Sequence, residues 1–380
     1  MSPESASFIS PAKHPLNWRN ILWLFGTSGA SLVGVPIALA VWGVTPLGLF
    51  LFLLSLLPAP LCITAGYHRL FSHRSYQARP ALRLYYLVVG AAAFQGSALE
   101  WSNDHRVHHR EVDSENDPYS INQGFFHAHM GWLFHQFVPL NLSDFPLDLV
   151  RDRLVMWQHR YYVPIAIGVG FGVPCLIGAL LGNPLGGLLY GGMLRVVLNQ
   201  HSTFLINSLS HSMGSRPFCL ENSARDNLLM AFLAWGEGYH NFHHRFQSDY
   251  RNGFRWYHWD PTKWLIRSLS LIGLAGNLKR VPEVVIETTK IETAQAAMAA
   301  RGIATDRLST MREKALAAQV QWRTVYAEYL AFKKSVSSRS LARRLELRTE
   351  IKLARIEFRA ACRQWWAYAR SLRGIRVQSI

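Results

Sequence analysis

Histidine is the residue type through which this sequence could do chemistry. Eight of the 16 histidines fall into three short clusters, one with two histidines five residues apart and two with the pattern His-x-x-His-His. In chain order these are His68 and His73, then His105, His108 and His109, then His240, His243 and His244. A neutral imidazole binds a metal through one ring nitrogen while a neighbouring group orients the other. The clusters therefore predict a metal site.

The spacing within a His-x-x-His-His cluster predicts which metal each histidine reaches. On a helix, residues four apart lie about 40° from each other around the axis, whereas residues three apart lie about 60° to the other side. The first and last histidines of a cluster can thus reach one metal, while the middle histidine leans towards a second metal. Two such clusters that face each other predict a two-metal site.

The ligand type narrows the choice of metal. Ligation by many imidazoles suits iron, copper or zinc. A structural zinc site closes with four ligands, and at least eight are present here. Two metals with open positions favour oxygen chemistry at iron. Soluble di-iron bundles use Glu and Glu-x-x-His, and because none of these clusters contains Glu, the site belongs to a different class.

Long apolar runs must position these clusters. The chain has 380 residues, of which 49% are hydrophobic and only 17% are charged, against about 25% charged in a soluble domain. Four runs are long enough to cross a bilayer, which takes roughly 20 residues. They cover residues 21–44, 47–66, 161–181 and 185–206. Turn residues join them in pairs, so the sequence predicts an all-α integral membrane protein with four transmembrane helices in two hairpins.

The three clusters can share one site only if they lie on the same side of the membrane. The run 82–99 separates the first two clusters; it contains Arg83 and Gln95 and is predicted to be interfacial rather than spanning. The second hairpin separates the last two clusters, so the chain returns to the same face. The basic tail follows the third cluster, and the positive-inside rule therefore predicts that the tail and a helical cap with the metal site are cytoplasmic.

Positive charge is concentrated near the C-terminal end. Residues 301–380 contain 18 Lys and Arg against 6 Asp and Glu, which supplies +12 of the formal net charge of +16. We predict a polar N-terminal segment (1–20), a membrane domain (21–275) and a basic helical extension (276–380). The extension is either a solvated appendage or a surface for anionic lipid headgroups or an acidic partner. The membrane spans argue against nucleic acid, and the four cysteines show no paired spacing.

Together these motifs resemble the membrane fatty acyl desaturases of the stearoyl-CoA, Δ9 type, in a bacterial-like form. The similarity covers roughly residues 20–275. It lies in Gly66–Tyr76, Trp101–His109, Asn116–Pro118, Gly124–Phe126, Gly131–Trp132, Asn207 with His211, and Gly236–His244. The related alkane hydroxylases are less similar, because they carry Glu beside the first histidine of their first two clusters, where this chain has Arg69 and Asp104.

The resemblance implies a ninth histidine ligand, His211, and an asparagine, Asn207, that reaches the metal through a water. Combined with the helix faces, it predicts two ligand sets. One iron would be held by His108, His211, His240 and His244 with Asn207, and the other by His68, His73, His105, His109 and His243. The remaining histidines are interpreted as structural; they are His14, His127, His129, His135, His159, His201 and His258.

The resemblance also implies a reaction in which O2 and two electrons convert a saturated fatty acyl chain into a cis-monounsaturated one. Trp101, Asp104 and Thr203 occupy positions that line the acyl tunnel or its mouth in the family. Phe52 and Leu56, about three to four turns before His68, are predicted to limit chain length. Acyl-CoA is the favoured substrate. An acyl lipid stays open, because Asn103 stands where animal members carry an Arg near the CoA phosphates.

The electrons must come from an external ferredoxin, cytochrome or reductase. The tail has no histidine after His258 that could bind a haem, and no Gly-x-Gly-x-x-Gly motif follows a strand. The basic extension is a candidate docking surface for this donor. Two other functions stay open: a di-iron hydroxylase on the same scaffold, which would make an alcohol, and a membrane metal-binding or haem-binding protein without turnover.

Overall fold

The computed structural model describes residues 15–44, 46–135, 141–334 and 340–373. His14 and most of the predicted polar segment 1–20 lie outside these ranges. The chain forms two compact units, Met1–Arg216 with Glu221–Arg280 and Pro217–Leu220 with Val281–Ile380. Both are helical. The predicted helical class is therefore supported, with one addition: a short antiparallel pair, β1 (Gln77–Ala78) with β2 (Ala275–Gly276). Two-residue strands are too short for an alternating pattern to reveal them.

The first unit alternates long apolar helices with shorter ones that carry polar residues. Its α-helices are α1 (Trp18–Trp42), α2 (Pro46–Ser55), α3 (Pro58–Leu61), α4 (Pro80–Ala91), α5 (Ala98–Glu111), α6 (Phe125–His129), α7 (Leu147–Val150), α8 (Arg153–Arg160), α9 (Tyr162–Ile167), α10 (Val173–Leu180), α11 (Pro184–Gly186), α12 (Arg195–Ser212), α13 (Leu228–Leu233), α14 (His240–Arg245) and α15 (Pro261–Leu271). π-Helical segments continue α3 and join α9 to α10 and α11 to α12; they are Cys62–Ser72, Gly168–Gly172 and Gly187–Leu194. Short 3-10 turns lie at Ile121–Gln123, Gly131–Phe134 and Leu142–Asp144.

Two helices, Trp18–Trp42 and Tyr162–Leu180, are long and apolar enough to cross a membrane. Only 22% and 17% of the most apolar 18-residue stretches of these two helices are buried inside the protein. The core helix of a soluble protein would be mostly buried. The other two predicted spans are helical as well, over residues 46–72 with a break and over residues 184–212. The four-span arrangement itself stays a prediction.

The predicted interfacial run 82–99 is not one helix. α4 ends at Ala91, and Phe94 and Gly96 adopt positive φ angles of 54° and 89° before α5 begins. The 12 residues of α4 cover roughly 18 Å at the rise of an α-helix, less than the roughly 30 Å of a bilayer core. Gly90 lets α4 pack closely on the π-helix Cys62–Ser72, since a Cβ there would lie 2.7 Å from the Tyr67 ring.

The core of the first unit surrounds the π-helix Cys62–Ser72 and the helices that carry histidines. Tyr67, Tyr86, Leu87 and Leu99 are almost fully buried, and burying each such side chain contributes about 1.5–3 kcal/mol. The one polar atom of Tyr67 is satisfied, because Gln158 Nε2 donates to Tyr67 Oη at 2.9 Å. This packing gives the first histidine cluster a rigid base.

The second unit is built on three helices, α16 (Glu283–Ala299), α17 (Asp306–Lys334) and α18 (Leu341–Arg373). Its own core buries apolar side chains from all three; they include Val284, Ile291, Met298, Leu308, Phe358 and Trp365. Its main segment starts at Val281, a few residues beyond the start predicted at 276.

Candidate metal centre

Nine histidines of the first unit converge into two groups. Within each group, the ring nitrogens that could bind a metal lie within 4.8 Å of one another. One group contains His68, His73, His105, His109 and His243, and the other contains His108, His211, His240 and His244. The structure thus brings together the same histidines as the two predicted ligand sets. That these sets hold iron is a proposal, developed below.

The π-helix Cys62–Ser72 explains why the first two histidines are five residues apart. In a π-helix, the N–H of residue i+5 bonds to the carbonyl of residue i, and His73 N–H donates to the His68 carbonyl at 3.1 Å. The two rings therefore lie together, with centroids 4.8 Å apart. On an α-helix, residues five apart would point about 140° away from each other. α-Helical geometry therefore could not predict that His68 and His73 lie on one face.

The other two clusters lie on α5 and α14. α5 starts with a capping box, in which Ser97 and Glu100 each accept a hydrogen bond from the other's backbone N–H, and this fixes where the helix begins. On α14, His243 Nε2 lies 3.0 Å from His68 Nε2 and 2.9 Å from His109 Nε2. The middle histidine of α14 thus joins the outer histidines of α5, as the helix faces predicted.

The contacts in the second group suit a metal better than hydrogen bonds. His211, in the last turn of α12, places Nε2 at 3.0 Å from His240 Nε2, which is also 3.1 Å from His244 Nε2. Each ring nitrogen of a neutral imidazole has either one N–H or one lone pair, so His240 Nε2 cannot form a full hydrogen bond with both neighbours. A cation between the three nitrogens satisfies every lone pair. His108 Nε2 is buried without a hydrogen-bond partner. The residues present therefore fit a bound metal.

Three side chains hold the opposite ring nitrogens of ligand candidates. The Nδ1 contacts are His68 with Glu237 at 2.9 Å, His108 with Asp117 at 2.9 Å and His211 with Ser223 at 2.7 Å. An Nδ1 that donates its proton leaves the Nε2 lone pair free for a metal and fixes the ring. Glu237 and Asp117 lie in stretches that carry the family resemblance, but no role was predicted for them, and no sequence pattern pointed to Ser223.

Glu237 also links the metal centre to a buried charge network. Its Oε1 accepts from Arg69 Nη2 at 2.9 Å, and Arg69 also donates to both carboxylate oxygens of Asp260 and to the Tyr250 carbonyl. Burial opposes ionisation of Glu237, yet His68 and Arg69 hold its pKa below the ordinary value. Buried charges are stable only when paired, so this network fixes the carboxylate that orients His68.

Burial keeps most of the clustered histidines neutral. It lowers the pKa of seven of them well below the ordinary value of 6.5, and the positive charge that neighbouring histidines would carry lowers it further. They are His73, His105, His109, His211, His240, His243 and His244. Neutral imidazole is the form that binds metals.

One amide connects two of the predicted substrate residues. Gln95 Nε2 donates to Thr203 Oγ1 at 2.9 Å, and Gln95 Oε1 accepts from Trp101 Nε1 at 3.2 Å. The Trp101 ring stacks on His105 with centroids 5.0 Å apart. Trp101 therefore lies beside the five-histidine group, and Gln95 links it to Thr203. In the sequence, Gln95 indicated only that the run 82–99 does not span the membrane, and its contacts with Thr203 and Trp101 were not predicted.

Two further predicted residues lie on the helices that carry ligand candidates. Asp104 precedes His105 on α5, and burial raises its pKa to about 7. Asn103 Nδ2 donates to Asp104 Oδ1 at 3.3 Å. Asn207 is half-buried and lies one turn before His211 on α12. The two residues therefore lie on the same side of the helix, the side that was expected to face the metals.

The predicted chain-length residues lie near an apolar cavity. A cavity of about 690 Å³ among the long helices has Phe52 in its wall, together with residues of α1, α4 and α10. Leu56 lies one turn further along, and its N–H donates to the Phe52 carbonyl at 3.2 Å, but its side chain does not form part of the wall. Of the two residues, Phe52 is thus the better placed to limit the volume of this cavity.

The six remaining histidines within the described ranges lie outside both groups. His129 Nε2 lies 3.0 Å from His201 Nδ1, and His159 Nδ1 lies 2.8 Å from Ser97 Oγ at the start of α5. The others are His127, His135 and His258. None of the six is part of a described cluster of three or more metal-binding side chains.

Several known proteins are similar to this chain in sequence. The profile of the family described as fatty acid desaturase matches residues 40–271. A probable acyl-CoA desaturase of Schizosaccharomyces pombe is 43% identical over 285 residues, which are 73% of this chain and 59% of that protein. Acyl-CoA desaturase 1 of Saccharomyces cerevisiae is 42% identical over 285 residues, 74% and 55% of the two chains. Stearoyl-CoA desaturase 5 of Homo sapiens is 37% identical over 288 residues, 73% and 84% of the two chains.

The helical fold, the two helices apolar enough to cross a membrane and the two histidine groups that could each hold a metal ion define a histidine-rich protein of membrane type. The chain belongs to the fatty acid desaturase family, which confirms the resemblance seen in its sequence. It spans less than two thirds of the length of the two yeast relatives that it matches.

Proposed function

We propose that this protein is an O2-dependent di-iron desaturase that introduces a cis double bond, at the Δ9 position, into a saturated fatty acyl chain. Acyl-CoA is the preferred substrate over an acyl lipid. The observation that carries the proposal is the convergence of nine histidines into groups of five and four. The names of the relatives, acyl-CoA and stearoyl-CoA desaturases, support the same substrate class.

The proposed reaction consumes a saturated acyl chain, O2, two electrons and two protons, and yields a cis-unsaturated acyl chain and two waters. Two bound iron ions would supply the O2 activation that an unactivated methylene requires. Glu237 and Asp117 orient ligand rings through Nδ1, and Asn207 contributes through a water. Trp101 and Thr203 hold the acyl chain beside the five-histidine group, where the buried surroundings exclude water.

A four-span topology fits this function. Two hairpins, over residues 21–66 and 161–206, would leave all three histidine clusters on one face of the bilayer. The 12-residue α4, too short to cross, supports an even number of crossings between the clusters. The basic extension would lie on the same face, which the positive-inside rule makes cytoplasmic. An external electron donor would reach the irons from this side.

Chain length offers a local test of the substrate site. Phe52→Ala enlarges the cavity that Phe52 lines, so we expect the preference for a substrate about two methylenes longer to rise about tenfold in relative kcat/KM. Leu56→Ala is predicted to act in the same direction and more weakly, because Leu56 lies outside the cavity wall. Gas chromatography of products from mixed acyl-CoA substrates measures the change.

Leu53→Ala is the matched control for these variants. Leu53 is 52% exposed and lies outside the same cavity wall, so its removal should leave the chain-length profile as it is. If Phe52→Ala and Leu53→Ala give the same profile, Phe52 does not limit the acyl chain.

Product analysis tests the proposed function directly. Expressed in a host that cannot make unsaturated fatty acids, the protein should restore growth and yield cis-Δ9 products in the CoA pool before the lipid pool. A hydroxylated product would assign the chain to the di-iron hydroxylases instead. A chain that binds metal but yields neither product would be a non-catalytic metal-binding protein.

A further inference from the structure

The charges of α18 are separated to opposite sides of the helix. At 3.6 residues per turn, a sector of about 100° contains almost all of its basic residues. They are Arg344, Arg348, Lys352, Arg355, Arg359, Arg363 and Arg370. The three acidic residues, Glu346, Glu350 and Glu357, lie on the other side of the helix. The basic residues thus form one continuous charged face of α18.

The local ion pairs leave much of this sector without neutralising partners. Three carboxylates contact Arg343, which lies on the acidic side; they belong to Glu328, Glu346 and Glu350. Within the sector, Arg355 and Arg359 both pair with Glu283. No described carboxylate pairs with Arg344, Arg348, Lys352, Arg363 or Arg370, and all five are exposed. Arg344 and Arg348 donate to the Tyr329 hydroxyl, which carries no charge to neutralise them.

Exposed aliphatic side chains lie in or beside the same sector. Leu341, Leu345 and Ile356 are 67%, 52% and 52% exposed, although α18 has a separate buried face that packs in the core of the second unit through Phe358 and Trp365. These three residues and the seven basic ones form the α18 stripe. From Arg344 to Arg370 the stripe is roughly 39 Å long at 1.5 Å per residue.

We propose that the α18 stripe binds the anionic headgroup surface of a lipid bilayer. Basic side chains near such a surface are attracted by its negative potential, and aliphatic side chains between them insert below the headgroups. An anionic bilayer offers in one surface both the negative charge that attracts the basic residues and an apolar layer for the exposed Leu341, Leu345 and Ile356. The stripe lies beyond the family match, which ends at residue 271, so this inference is independent of the proposed function.

Hydrogen exchange of the full-length protein tests the proposal. The protein is placed in nanodiscs of pure phosphatidylcholine or of phosphatidylcholine with one third phosphatidylglycerol, and exchange of the α18 amides is followed by mass spectrometry. We expect exchange over residues 341–363 to slow about tenfold in the anionic discs. High salt should abolish the difference, because the attraction is electrostatic.

A pair of triple variants with equal charge loss makes the test specific. Arg344→Gln, Arg348→Gln and Lys352→Gln together should remove the slowing, whereas Arg301→Gln, Lys314→Gln and Lys333→Gln, which lie outside α18, should preserve it. Unchanged exchange at Ile291 and Met298 of the core shows that both variants are folded. Equal exchange in both lipids, equal loss in both variants, or slowing that requires an added acidic donor protein instead of anionic lipid would overturn the proposal.

Discussion

His211→Ala is expected to lower desaturation by at least about a hundredfold and to reduce bound iron from two ions per chain to about one. His211 belongs to the four-histidine group, in which one ring nitrogen of each histidine lies within 4.8 Å of the others. Its loss leaves three protein ligands, and the group has no spare histidine to replace it. Iron content by mass spectrometry and turnover with an added electron donor measure the two effects.

His201→Ala is the matched control, because it removes an imidazole from the same helix. His201 contacts His129 rather than either histidine group, so this variant should keep two irons and most of its activity. Two irons retained in His211→Ala would remove His211 from the ligand set. Equal iron loss in both variants would show that α12 had been disrupted in general.

The grouping of ligands was largely predictable from sequence because it depends on local helix geometry. Spacings of three and four residues fix the face of each histidine on α5 and α14. When the two clusters face each other, the middle histidine of each cluster therefore joins the outer histidines of the other. The five-residue spacing of His68 and His73 was not interpretable in this way. It requires a π-helix, and a π-helix depends on how the surrounding side chains pack rather than on a periodic pattern.

The side chains that orient the ligands could not be predicted from local helix geometry. Glu237 contacts His68 across 169 positions of chain, and Ser223 and Asp117 meet their histidines through turns between helices. Such contacts leave no periodic signal; the resemblance covered the stretches that contain Glu237 and Asp117, but nothing in the sequence pointed to Ser223. The contacts of Gln95 were not predictable either, because its amide joins Trp101 to Thr203 only after α5 and α12 have packed.

Glu237→Gln should weaken iron binding by about 10- to 100-fold and lower the free energy of unfolding by about 1–3 kcal/mol. The Gln amide has nearly the same shape as the carboxylate but only one acceptor oxygen, which is uncharged. It therefore cannot accept from both His68 and Arg69 as the two oxygens of Glu237 do. His68 then loses the partner that fixes its tautomer, and Arg69 loses one of its two carboxylates. A chelator competition measures iron affinity, and thermal unfolding measures stability.

Asp260→Asn separates the two effects, because Asp260 pairs with the same Arg69 but contacts no ligand histidine. It also accepts from the backbone N–H groups of Asn252, Gly253 and Lys263, so we expect a loss of stability at least as large as for Glu237→Gln. Its iron affinity should stay close to that of the unmodified protein. If both variants lose iron affinity in proportion to stability, Glu237 acts through the fold alone and does not orient His68 for the metal.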